Sequence, residues 1–130
     1  MKEVKCKRGH RVDQVRFEDF EGTQTLSHQG HAGGGWRNND QIVKLDSDEY
    51  LRRVDAYHIT AGYVKGQLAK IVYFTSKDRI ISCYYNKVKY TTEKKTFAAP
   101  TGQYIQSLSQ YQDPKKCCGR VTDIVTEPFV

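Results

Sequence analysis

The sequence predicts an all-β fold of antiparallel sheets, and three observations carry that prediction. Apolar and polar residues alternate with period 2 through most segments, helical periodicity is almost absent, and turn-forming residues recur about every 8 to 12 positions. At 130 residues the chain has the size of one domain, because single cores serve about 100 to 150 residues. A sandwich, barrel or prism satisfies these constraints.

Taken in order, Val4 and Cys6 alternate with Glu3, Lys5 and Lys7, and Val15 and Phe17 alternate with Gln14, Arg16 and Glu18. Each reads as a strand with one buried face. Ile42-Val43-Lys44-Leu45 follows a loop rich in glycine and asparagine. Asp46 to Val54 opens with good N-cap residues, but it is short for a helix and Val54 to Ile59 returns to alternation. It reads as a turn leading into a strand. Leu68 to Thr75 is the strongest strand candidate, rich in β-branched and aromatic side chains. Ser76-Lys77-Asp78 then turns the chain into Arg79 to Tyr85, and Asn86-Lys87 into Val88 to Thr92. Two last strands are expected around Gln103 to Ser109 and Val121 to Thr126.

Hydrophobic residues at 38% and charged residues at 28% exclude both a disordered chain and a bundle of membrane-spanning helices. Met1 to Arg8 lacks the apolar run of a signal peptide, and no later stretch has the roughly 20 apolar residues that cross a bilayer. The expectation is an intracellular protein, or a domain excised from a secreted or surface protein. Lys plus Arg at 21 against Asp plus Glu at 15 leaves a net charge of +6, which favours anionic partners. Cys6, Cys83, Cys117 and Cys118 lack the CxxC pairing of a zinc site. Adjacent Cys117 and Cys118 cannot bond each other without strain, so a disulfide would join one or both to Cys6 or Cys83; free thiols are the alternative. No nucleophile has an identifiable base, no carboxylates are paired and no cofactor fingerprint occurs, so no catalysis and no cofactor are expected.

Three loops stand out. Gly30-His31-Ala32-Gly33-Gly34-Gly35 allows close approach to the backbone, but no Gly-Lys-Ser/Thr follows and it is no phosphate loop. Gly9-His10-Arg11-Val12-Asp13 and Gly119-Arg120-Val121-Thr122-Asp123 each place glycine four residues before aspartate at the start of a strand. Such a loop can direct backbone amides inward while the carboxylate accepts from paired hydroxyls, the donors and acceptor that vicinal sugar oxygens need. The competing structural role is turn capping by each aspartate.

Over nearly its whole length the chain resembles the jacalin-related lectins. The resemblance rests on the two GxxxD loops, on Gly30 to Gly34 as a GGxGG loop with His31 in second place, on the acidic turn before Tyr50-Leu51, and on the hairpin ending Phe74-Thr75-Ser76-Lys77. It is nearest to the two-site, mannose-binding branch that includes banana lectin. It implies a β-prism of three antiparallel Greek-key sheets with pseudo-threefold symmetry. It also implies a carbohydrate site at Gly9, His10, Arg11, Val12 and Asp13 with Gly30 and His31, and a second at Gly119, Arg120, Val121, Thr122 and Asp123. The amides of Arg11, Val12 and Gly30 or His31 would donate and Asp13 would accept, without a metal.

Family domains open with a further strand whose glycine loop pairs with the C-terminal GxxxD. Residues 1–130 therefore read as one lectin domain missing its first strand, open to completion by another segment or chain, or to homo-oligomerisation. Arg8, His10 and Arg11 flank one loop and Lys115, Lys116 and Arg120 the other, which points to acidic or sulphated glycans, sulphated polysaccharide included, beside mannose-type ones. Lys87, Lys89, Lys94 and Lys95 read as a solvated face. The alternative function is a protein-interaction module that has lost sugar binding. Tyrosines beside lysines, such as Tyr84 and Tyr104, read as sheet packing, so no nucleic-acid partner is expected.

Overall fold

The structure is a computed structural model that describes residues 3–8, 12–18, 24–26, 41–62, 64–84, 89–111 and 120–129. Ten strands and no helix occur among them: β1 (Glu3–Arg8), β2 (Val12–Glu18), β3 (Gln24–Leu26), β4 (Gln41–Lys44), β5 (Leu51–Ile59), β6 (Leu68–Thr75), β7 (Ile80–Tyr84), β8 (Thr92–Ala98), β9 (Gln103–Tyr111) and β10 (Arg120–Pro128). Every pairing is antiparallel.

One sheet runs β3-β2-β1-β4, and the other runs β10-β9-β5-β6-β7 with β8 also on β5. The second sheet divides at β5. Residues Arg53 to Ile59 pair with β8, whereas only Leu51 pairs with β9, opposite Ile105. The result is three antiparallel blocks: β1 to β4, β5 to β8, and the β9–β10 hairpin.

All three contribute to one core. Val4 and Cys6 from the first block, Leu51, Val54, Ala56, Leu68, Ile71, Tyr73, Ile81 and Cys83 from the second, and Ile105, Leu108 and Val121 from the third are buried in a single cluster. Period-2 geometry accounts for this, since Val54, Ile71 and Tyr73 all lie on one face of adjacent strands. The opposite face buries Asp55, which accepts from Arg53 Nε at 3.1 Å, from Arg53 Nη2 at 2.9 Å and from Thr96 Oγ1 at 2.8 Å. Burial raises its pKa, but these bonds outweigh burial and hold the carboxyl below its ordinary value. The Arg53 guanidinium lies over the Phe74 ring at 4.4 Å.

Cys6 is bonded to Cys83, across the first and second blocks. A disulfide involving Cys6 or Cys83 was expected to reach Cys117 or Cys118; instead these two meet each other because β1 and β7 face across the core. Cys117 and Cys118 lie outside the described residues.

The strand expected over Val88 to Thr92 is also displaced. Residues 89–91 are outside any strand, and β8 begins at Thr92. Thr-Glu-Lys-Lys-Thr-Phe-Ala has little apolar alternation, so its strand character comes from pairing with β5 rather than from local pattern.

The turn from Pro100 to Gln103, into β9, closes with Gln103 N donating to Pro100 O at 3.0 Å, and Gly102 takes φ +84°. A type II turn requires positive φ at that third position. A Cβ on Gly102 would meet nothing within 4 Å, so Gly102→Ala introduces backbone strain alone. It is expected to lower stability by about 1 kcal/mol, measurable as a shift in urea midpoint; an unchanged midpoint would contradict the assigned turn.

Candidate functional site

The C-terminal GxxxD segment enters β10 through a bulge. Val121 pairs with Gln110 and Asp123 with Ser109, leaving Thr122 as the extra residue. Thr122 Oγ1 donates to the Ser109 carbonyl at 3.2 Å. The N-terminal segment has a related irregularity, because Gln14 pairs with Lys7 and Val12 with Arg8, leaving Asp13 as the extra residue. Bulges re-aim side chains at strand ends, so both predicted loops sit beside such a distortion.

A cleft of about 540 Å³ opens at the start of β10. Its lining includes Arg120 and Thr122 from β10, Thr60 and Lys65 from the β5–β6 turn, and Glu93 and Lys95 from β8. The β5–β6 turn holds its side by hydrogen bonds from Thr60 N to Thr91 O at 2.9 Å and from Gly66 N to Ile59 O at 2.7 Å, with Gly62 and Gly66 at positive φ. Glu93 and Lys95 reach the cleft because β8 pairs Glu93 with His58 and Lys95 with Ala56.

His58 is beneath this cleft, buried, with its Nε2 accepting from the Val121 amide at 3.0 Å. Burial, followed by the neighbouring Lys95 cation, holds its pKa below the ordinary value; Glu93 opposes and Arg120 reinforces this. Among the described residues, Lys65, Lys95 and Arg120 line the cleft together with Glu93. Threonine hydroxyls and one carboxylate complete a set of donors and acceptors suited to hydroxylated, anionic ligands.

The structure thus brings together Arg120, Val121 and Thr122 of the predicted residues. Asp123 is exposed, does not line the cleft, and accepts from the Ile124 amide at 2.8 Å through Oδ1, a local bond of the capping kind. Val12 and Asp13 have strand backbone in β2, while Gly9, His10, Arg11, Gly30, His31 and Gly119 lie outside the described residues. Lys95, which reads as part of a solvated face, is exposed and also lines the cleft. Sequence reasoning also passed over His58, Lys65 and Glu93, since only the β5–β8 and β5–β6 registers place them together. No group of His, Cys, Asp and Glu among the described residues has the arrangement of a metal centre. Tyr104 packs against Phe129 with ring centroids 5.4 Å apart, and Tyr50 meets the same ring edge-on at 4.7 Å.

Antiparallel sheets enclosing one core, with a polar cleft where strand ends and turns converge, define an all-β binding domain. The chain belongs to the jacalin-like lectin domain family, whose profile matches residues 1–111. That membership places it among carbohydrate-binding domains without catalytic activity.

Solved structures share the fold. A mannose-binding jacalin-related lectin from Ananas comosus is 12% identical with a TM-score of 0.70, over 98% of this chain and 82% of that one. The Calystegia sepium agglutinin is 15% identical with a TM-score of 0.65, over 99% and 83%. PirB is 18% identical with a TM-score of 0.67, over 99% of this chain and 29% of its own. No curated protein matches by sequence.

Proposed function

We propose that this domain binds acidic or sulphated glycans in the cleft at the start of β10, with Lys65, Lys95 and Arg120 meeting the anionic group. The observation that carries this reading is the convergence of those three cations with Glu93, Thr60 and Thr122 in one cleft. Glu93 would accept from sugar hydroxyls, and the threonine hydroxyls would donate or accept. Asp13 with the Gly30–His31 loop remains the proposed second site. An open cleft of this kind binds one sugar weakly, so strength would come from several copies. Addition of a strand at the β10 edge, from another segment or a second copy, is part of the same proposal.

Mannose-type glycans are the second reading, favoured by the Ananas comosus lectin, whose description is mannose-binding. A glycan array carrying sulphated, uronic and high-mannose saccharides separates the two. Lys95→Ala and Arg120→Ala are each expected to weaken sulphated ligands about fivefold, and raising salt from low to high should weaken them further. Binding to mannose alone, indifferent to salt and to both substitutions, would establish the second reading. Asp13→Ala and Asp123→Ala in the same array assign the GxxxD loops. Absence of binding to every glycan would favour a protein-interaction module.

A further inference from the structure

We propose that His58 is a positioning residue for the cleft: as a neutral acceptor it holds the Val121 amide and the Arg120–Thr122 lip in place, and its protonation releases them. The consequence for ligand rests on the glycan reading above; the latch itself does not.

The placement is specific. Among the described residues β10 pairs in the ladder only with β9, so the Val121–His58 bond ties the start of β10 directly to β5, across 63 residues of sequence. Val121 is 1% exposed and His58 5% exposed, leaving little room for water to replace either partner. Thr122, next in the chain, is the bulged residue, and a bulge leaves local backbone groups without ladder partners. His58 supplies an acceptor where the ladder is interrupted.

An imidazole accepts through Nε2 only when that nitrogen has a lone pair, which places the single proton of the neutral ring on Nδ1. Protonation converts Nε2 into a donor facing the Val121 donor at 3.0 Å. It also adds a cation near Lys95 and Glu93 from β8 and Arg120 from β10, with Lys65 of the β5–β6 turn lining the same cleft. On β6, Leu68 is the register partner and has no charge. Of the charges around the ring, the Lys95 cation outweighs Glu93 in disfavouring the new charge. Burial and Lys95 therefore keep the ring neutral at pH 7, and release falls on the acid side of the ordinary histidine range. Since the folded ring resists protonation more than the unfolded one, its contribution to stability is complete above about pH 6.5 and is lost as pH falls below that value.

Amide hydrogen exchange by NMR on the whole chain tests this, with wild type, H58Q and H58L compared at pH 7.5 and 5.0. Glutamine Oε1 can take the place of Nε2 as acceptor without titrating. Relative to amides in β6, Val121 protection in wild type should fall about fivefold on acidification, the effect of losing one hydrogen bond. H58Q should hold its protection at both values, and H58L should lack it at both. Equal acid sensitivity in wild type and H58Q, or full protection in H58L, would overturn the proposal. If H58L does not fold, the wild-type and H58Q comparison decides alone. A heparin-derived sulphated disaccharide added to the same samples separates the two readings. Failure of the disaccharide to bind while Val121 follows His58 counts against the glycan reading and leaves the latch intact.

Discussion

Replacing Arg79 with alanine is expected to lower the free energy of unfolding by about 3 kcal/mol, and the melting temperature by about 10 °C. Arg79 is the partner of Glu49, whose carboxylate is buried at 3% exposure. Arg79 Nε donates to Oε2 at 2.8 Å and Nη2 to Oε1 at 2.7 Å. Thr75 Oγ1 adds a bond at 2.6 Å and the Asp46 amide one at 3.0 Å. The same guanidinium donates to the Lys44 carbonyl at 2.7 Å. One ion pair therefore fastens the acidic turn before β5 to the β6–β7 hairpin, and Tyr50 N donating to Ser76 Oγ at 3.1 Å continues the clasp.

Removing the arginine leaves a buried carboxylate without its cation, which costs more than the pair contributes. The exposed pairs of Lys77 with Asp46 and Asp48 should matter far less. Acid provides a second test. The Arg79 bonds, against the opposing effect of burial, lower the Glu49 pKa from 4.5 to about 2. Its stabilisation is then complete above about pH 4.5 and is lost as pH falls toward 2. Urea denaturation at pH 7 and pH 3 should show wild type losing part of its stability with acid, and Arg79→Ala losing less. A variant as stable as wild type at pH 7 would refute the clasp.

Reduction of the Cys6–Cys83 disulfide is expected to have an effect of similar size. The bridge spans 77 residues, and loop-closure entropy for a loop of that length corresponds to about 4.5 kcal/mol, with measured losses of about 2 to 5. Both cysteines are buried, at 2% and 0% exposure, and as thiols they would pack as small apolar groups. Comparing urea midpoints with and without reductant on the unmodified chain therefore isolates the cross-link from the packing. Cys6→Ala with Cys83→Ala should reproduce the reduced protein to within the loss of two sulphur atoms. Coincident midpoints, or no Cys6–Cys83 peptide in a non-reducing digest, would show that the first two blocks are held together without the cross-link.

These two fastenings also mark where sequence reading stops. The acidic turn at Asp46 to Glu49 and the hairpin at Ser76 to Asp78 are visible as separate local signals, because capping and turn residues act on their own neighbours. Nothing in either stretch says that Glu49 reaches Arg79. Likewise Cys6 and Cys83 are unremarkable by spacing, and only the facing of β1 and β7 makes them partners.

The candidate site divides in the same way. Arg120, Val121 and Thr122 are legible through a short motif, but the sequence leaves Asp123 two roles, of which the structure shows the capping bond from the Ile124 amide. Lys95 is exposed, as a solvated face implies, and its place in the cleft follows only from the pairing of β8 with β5.

The sequence by itself determined that this is an antiparallel all-β chain, since the pleat repeats every two residues and a strand's buried face is written in its own alternation. Its resemblance to a lectin family rested on loops whose chemistry is likewise local. Tertiary structure alone decided which charges share a cleft, which cysteines pair, and that a buried histidine supports the backbone of the proposed site. Those depend on how strands as distant in sequence as β5, β8 and β9 pair, and a one-residue slip in any register would turn each side chain to the opposite face.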